Sequence, residues 1–201
     1  IDHVAQLIKD GADIVDIGGE STRPGAYSVA EQEELDRVVP LVKAVRDRFD
    51  VAISVDTTKP QVMTESIEVG ANIINDVNAL REKGALEALA ATNAEVCLMH
   101  MQGEPRSMQH NPNYDDVVCD VKTFLQERVI ACEKAGIERE RIWLDPGFGF
   151  GKSQRHNYQL LQRLQAFHEL QLPLLVGMSR KSMIGHVTGR EVKDRLAGSL
   201  A

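Results

Sequence analysis

Asp56, Asn75, Asp145 and Lys181 are the residues of this chain whose types and settings could do chemistry. Each ends or follows a short apolar run, in the segments SVDTTKP, INDV, LDPGFGFGK and GMSRKSMIG; GGESTRPG and CLMHMQG hold comparable places. Carboxylates and an Asn that converge suit a ligand presenting N–H donors, since Asp is rarely buried without a partner. Lys181, beside Arg180 and before Ser182, supplies the opposite charge for a carbonyl, a ring nitrogen or an anion. Taken singly, each Asp reads first as a loop cap or a cap for the following helix, and SRK as a solvated turn. Several at successive strand ends favour a common site. His100 could be a base or a metal ligand, but no second His or Cys lies nearby at ligand spacing. A hydrogen-bonded interior histidine is expected there. GFGFGKS resembles a phosphate loop only superficially, because Pro146 occupies the position where a Walker motif needs Gly. It reads instead as a mobile loop whose Phe148 and Phe150 cover a flat ligand.

The elements that must position these residues alternate regularly. Residues 1–10 place Val4, Leu7 and Ile8 on one helical face, with Gly11 as a stop, and DIVDIGG follows as a buried strand. The segment 28–49 has apolar residues at helical spacing, a Ser28–Glu31 pair that fits a capping box, and an internal Pro40 that predicts a kink or a break. Strand-like runs then alternate with helical ones: VAISVDT, NIINDV, EVCLMHM, RIWLDPG and LPLLVGMS are the remaining strands. Pro60 opens the helix after VAISVDT and Gly70 closes it. Six strands, each followed by a helix, imply a parallel sheet with crossover helices. The helix before the first of them needs a strand of its own, and one further βα unit at the end gives the eight that close a barrel. The alternative, an open doubly wound sheet, would show a glycine fingerprint after its first strand and a switch point, and neither is evident. Barrel sites are built at strand C-termini, which are the segments picked out above. Pleating separates Asn75 from Asp76, because neighbours point to opposite faces, and puts Ser54 and Asp56 on one face.

Composition narrows the function classes. At 201 residues, with 43% hydrophobic and 26% charged residues, the chain is expected to fold as one soluble domain, 1–201, with both ends looking cut. A net charge of -7 argues against a general binder of nucleic-acid phosphates, while leaving room for a local anion pocket. No apolar run approaches the length of a membrane span. Cys97, Cys119 and Cys132, odd in number and without a CxxC pair, read as reduced, buried thiols of a cytosolic protein.

Taken together, GGESTRPGA (18–26), ISVDTTKP (53–60), IINDV (73–77), CLMHMQG (97–103), LDPGFGFGK (144–152) and LLVGMSRKSMIG (174–185) resemble the dihydropteroate synthase family, in family order and over nearly the whole chain. The resemblance implies a (β/α)8 TIM barrel, here without its first strand and last βα unit, a cytoplasmic homodimer, and Mg2+ on a diphosphate. The implied reaction joins 4-aminobenzoate to 6-hydroxymethyl-7,8-dihydropterin diphosphate, giving 7,8-dihydropteroate and diphosphate for folate biosynthesis. By motif match, Asp56, Asn75 and Asp145 hold the pterin's N–H edge, Lys181 contacts its carbonyl or ring nitrogen, and Val77 and Met99 pack against the ring. Thr22, Arg23 and Pro24 fall in a mobile loop near the aminobenzoate and diphosphate, while Phe150, Lys181 and Ser182 line the aminobenzoate pocket that sulfonamides would occupy. Lys181 and Asp56 stand as the catalytic candidates.

The family's metal-linked Asn, on its first strand, and its diphosphate-binding Arg and His, on its last, belong to segments that this sequence does not contain. No metal ligand is therefore expected within it, and the 201-residue chain alone is expected to be an inactive, open barrel. Two other readings are the pterin-binding barrel of a methyltetrahydrofolate methyltransferase and a non-catalytic pterin-binding relative. SRKSMIG and GGESTRPG fit the synthase better.

Overall fold

Five of the apolar runs become parallel strands, each followed by a segment that carries the chain back across one face of the sheet. The computed structural model describes residues 1–23 and 25–200. After helix α1 (Asp2–Lys9) come β1 (Ile14–Gly18), α2 (Glu31–Arg46), β2 (Ala52–Asp56), α3 (Pro60–Glu68), β3 (Ile73–Asp76) and α4 (Ala85–Ala90). The order continues through β4 (Glu95–Met99), α5 (Val117–Lys134), β5 (Ile142–Asp145), α6 (Gln154–Gln162), α7 (Ser182–Thr188) and α8 (Leu196–Leu200). The strands lie in the sheet in chain order, β1 to β5, all parallel. A sheet that never reverses its order has no switch point, so the doubly wound alternative falls and the barrel arrangement holds.

Pleating sorts the strand residues into two faces. Val15, Ile17, Ile53, Val55, Ile74, Val96, Leu98, Ile142 and Leu144 form one face and are buried in the main core. Val38, Val42 and Val45 of α2, Val62 and Met63 of α3, and Val121, Leu125 and Val129 of α5 share that core. The other face carries Asp16, Ser54, Asp56, Asn75, Cys97, Met99 and Asp145. The hydrophobic effect thus fixes which face meets the helices, and the chemistry-bearing residues are left on the opposite one.

Several expectations need correction. The sixth strand, LPLLVGMS, is reduced to a single bridge between Leu144 and Leu174, made by Leu144 N–H to the Pro173 oxygen and Leu175 N–H to the Leu144 oxygen, each 2.9 Å. The flanking rungs of that ladder would need N–H donors from Pro146 and Pro173, which have none. Helix α2 runs through Pro40 without breaking into two, held by the core packing of Leu35, Val38, Val42 and Val45. Its N-cap is Ala30, with no side-chain cap bond, so the Ser28–Glu31 capping box does not form. The helix after the glycine-rich loop begins at Gln154, capped by Ser153, and passes into a 3-10 segment, Leu164–Leu170. Helix α7 was not anticipated, because SMIGHVT is too short to show a period. Cys97 and Cys132 are buried, but Cys119 is exposed, on the solvent side of the first turn of α5. Pro60 opens α3 as expected. Among the described residues, no helix is long and apolar enough to cross a membrane.

Candidate active site

Register brings the strand-end residues together. Asp56 pairs with Asn75 across β2 and β3, and Met99 with Asp145 across β4 and β5. The Oδ1 atoms of Asp56 and Asn75 are both buried without a hydrogen-bond partner. Two adjacent orphan acceptors are costly in a folded protein, at about 1–3 kcal/mol each, unless a ligand supplies donors. Burial, joined by the charges of Asp16, Asp76, Glu34 and Glu20, pushes the Asp56 carboxyl up to about 7. Asp145 is buried and accepts the Gly147 N–H at 2.7 Å. Burial raises its pKa, against the opposing pull of that N–H and of Lys181 and Lys152. Asp76 points to the other face, where its carboxylate accepts the N–H groups of Asn78 and Leu80, each at 2.7 Å. It is a loop brace, and the pleating argument that set it apart holds.

Two cavities open at this end of the sheet. One, of about 520 Å³, is bordered by Thr22, Glu34, Asp56, Val77, Arg81 and Met101. The other, of about 860 Å³, is bordered by Arg23, Met108, Phe150, Lys181 and Ser182. Val77, Met99, Met101 and Met108 form a small apolar cluster of their own, with Phe150 packed against it, and it contributes to the walls of both cavities. An apolar cluster beside carboxylates and a lysine suits a heteroaromatic ring with a polar edge. Thr22 and Arg23, neighbours in one loop, thus border different cavities, whereas Asn75, Met99 and Asp145 border neither and sit on the sheet face. Pro24 lies outside the described residues.

Lys181 donates to the Phe148 carbonyl oxygen, and its Nζ stands 4.8 Å from the centre of the Phe150 ring. Burial lowers its pKa while Asp145 holds it up. Phe148, fully buried in the main core, and Phe150, packed on the small apolar cluster, both border the second cavity. The glycine-rich loop alternates through left-handed backbone at Gly147, Gly149 and Gly151, so strand pleating does not apply to its side chains.

That loop is pinned by a residue the sequence did not single out. Lys152 is buried, with Nζ 2.9 Å from His100 Nδ1, 2.9 Å from the Gly147 oxygen and 3.0 Å from the Phe150 oxygen. Burial presses its amine down to about 7, against the pull of Asp145. His100 is the interior, hydrogen-bonded histidine expected, and burial with the nearby Lys152 charge lowers it to about 2. Glu34 was also missed, although a signal existed: it precedes Val38 and Val42 by four and eight residues, on the buried face of α2.

A parallel barrel-type sheet with paired acceptors at its strand ends and an apolar shelf beside them suits a ring with a donor edge, and a family model described as "Pterin binding enzyme" matches residues 1–201, which makes the chain a member of the pterin-binding enzymes. The dihydropteroate synthase of Escherichia coli (strain K12) is 57% identical over 201 residues, covering 100% of this chain and 71% of that protein. A crystal structure of the Yersinia pestis dihydropteroate synthase in a sulfonamide drug complex superposes with a TM-score of 0.96 at 55% identity, over 98% of this chain and 72% of that one. The Xanthomonas albilineans dihydropteroate synthase, solved with 4-aminobenzoic acid, gives 0.94 at 50% identity, over 99% of this chain and 71% of that one. The chain belongs to the dihydropteroate synthase family. The methyltransferase alternative is set aside, since relatives at this identity are synthases.

Proposed function

We propose that Asp56, Asn75 and Asp145 recognise the donor edge of 6-hydroxymethyl-7,8-dihydropterin diphosphate in the synthesis of 7,8-dihydropteroate for folate biosynthesis. The observation that carries this is the pair of partnerless oxygens on Asp56 and Asn75 at opposed register positions. The pterin's amino and ring N–H groups complete them, and ionised Asp56 makes the stronger, charge-assisted bond. Val77 and Met99 pack against the ring, and Lys181 meets its carbonyl or ring nitrogen. Thr22, Arg23, Phe150 and Ser182 serve the second substrate, 4-aminobenzoate.

The reaction breaks the bond between the pterin methylene carbon and the diphosphate oxygen. The aminobenzoate nitrogen then forms the new C–N bond with its lone pair and releases a proton. Diphosphate departs with the bonding electrons, so no protein nucleophile is required. The chain's residues orient the two rings and stabilise charge as it develops. Asp56, next to the electron-rich aminopyrimidine, favours the electron-poor methylene of the transition state, and Lys181 keeps the ring aligned.

Mg2+ on the diphosphate would need oxygen ligands, and among the described residues no group of three His, Cys, Asp or Glu side chains is placed to hold a metal ion. Mg2+ keeps most of its shell as water and phosphate oxygen and needs few protein ligands, and no step above passes through it. Family likeness also supports a cytoplasmic homodimer, and the unpaired Cys97, Cys119 and Cys132 suit a reducing compartment. The test is an assay of the full-length enzyme with pterin diphosphate and 4-aminobenzoate, following diphosphate release. Dihydropteroate formation blocked competitively by a sulfonamide is expected. Pterin binding without product would favour a non-catalytic relative instead.

A further inference from the structure

Glu20, Lys59 and Glu34 come from three separate elements and meet beside the first cavity. Glu20 begins the segment after β1, Lys59 lies just before α3, and Glu34 sits in the first turn of α2. Lys59 donates to both carboxylates through their Oε2 atoms. The Glu20 Oε2 also accepts the N–H of Val29 at 3.2 Å, so one carboxylate joins residues nine apart. Glu34 is the buried anchor: its side chain is 1% exposed, and its Oε1 has no protein partner. The base of the segment is fitted closely to it. A Cβ on Gly19 would come within 2.8 Å of Glu34 Cγ and of Val38 Cγ2, and Arg37 Nη1 donates to the Gly19 oxygen at 2.8 Å.

The arrangement matters because of what lies between its two ends. Thr22 borders the cavity of Asp56, and Arg23 borders the cavity of Lys181 and Ser182. Both depend on where the segment enters and leaves. Without the Lys59 ammonium, the carboxylates of Glu20 and Glu34 would share a partly desolvated space with Asp56, and like charges at such sites repel strongly. The ion cluster therefore sets the path of the segment as well as neutralising the site.

We propose that Glu20, Lys59 and Glu34 are positioning residues, a charged clamp that holds both ends of the segment 20–29 so that Thr22 and Arg23 are presented to 4-aminobenzoate. This rests on the substrate assignment above. None of the three needs to touch the reacting atoms. The effect should accordingly appear in the second substrate's parameters and not in pterin affinity.

The test compares the enzyme with its Glu20→Ala and Glu20→Gln variants, by steady-state turnover and by calorimetric binding of 6-hydroxymethylpterin diphosphate alone. Glu20→Ala is expected to raise KM for 4-aminobenzoate about tenfold and to lower kcat, with pterin affinity within about twofold of the parent. Glu20→Gln keeps an acceptor for the Val29 N–H and should fall between the two. A purely structural role would lower pterin affinity and kcat together, without the split and without the graded rescue, and would overturn the proposal. So would an unchanged KM in Glu20→Ala. Failure of the parent enzyme to bind the pterin would overturn the substrate assignment itself, and the clamp with it.

Discussion

The Asp56→Asn enzyme should bind 6-hydroxymethylpterin diphosphate at least about 100-fold more weakly than the parent, and should nonetheless melt at a higher temperature when ligand-free. Both effects have one origin. Asp56 carries a buried, partnerless Oδ1 and a pKa raised by burial, Asp16, Asp76, Glu34 and Glu20. Replacing the carboxylate with an amide removes a charge-assisted acceptor and can turn an NH2 group toward the pterin's own N–H donors. A charged hydrogen bond contributes about 1.5–3 kcal/mol, and a misdirected donor adds to that loss.

The stability effect follows from linkage. The folded pKa, about 7, exceeds the ordinary 3.8, so the folded state holds the proton more tightly. The contribution of this group is full below pH 3.8 and is lost as pH rises through about 7. Above that, ionised Asp56 opposes folding, and the Asn variant escapes the penalty. A gain of about 1–2 kcal/mol is of the size seen when a functional residue's strain is removed. Melting curves from pH 5 to pH 8 should show the gap between variant and parent widening with pH. Parental pterin affinity should weaken below about pH 7, as Asp56 takes up its proton. A variant less stable than the parent at pH 8 would contradict this account of the site.

Lys152→Met should produce the largest loss of stability, about 3–5 kcal/mol by urea or thermal unfolding. The methionine fills most of the space but leaves the Gly147 and Phe150 carbonyl oxygens, and the His100 ring nitrogen, without their buried donor. His100 can change tautomer to suit a new partner, whereas the carbonyl groups cannot. The loop that presents Phe150, and whose Phe148 oxygen accepts from Lys181, then loses its pin. Aminobenzoate KM should rise with the fall in stability. A Met variant as stable as the parent would show that the loop is held by Phe148 packing alone.

The pieces that sequence reasoning found, and those it missed, divide along physical lines. Asp56, Asn75 and Asp145 were legible because they end strands in a regular βα order, where the two-residue period assigns a face. The same period excluded Asp76. It had no purchase on residues 147–151, where left-handed glycines reset the direction of each side chain, so the depth to which Phe148 is buried was not legible there. The sixth strand failed for a reason visible only once the register was known, because both flanking rungs fall on prolines. Lys152 and Glu34 carry charges, and a charge within a polar or helical segment reads first as solvated. What buries them is tertiary: Lys152 meets groups from two different loops, and Glu34 lies beneath Gly19 and Lys59. Glu34 alone left a trace, by falling on the apolar stripe of its helix. Pro40 predicted a kink or a break, and the break did not occur, because the valines on either side of it are held in the core.

The central claim is that the Asp56 and Asn75 oxygens are completed by the pterin. A crystal structure of the enzyme with 6-hydroxymethyl-7,8-dihydropterin diphosphate tests it most directly. The account predicts the ring on the Val77 and Met99 shelf, with its amino and ring N–H groups within about 3 Å of the Asp56 and Asn75 oxygens. A pterin bound elsewhere, with those two oxygens still lacking a donor, would contradict it.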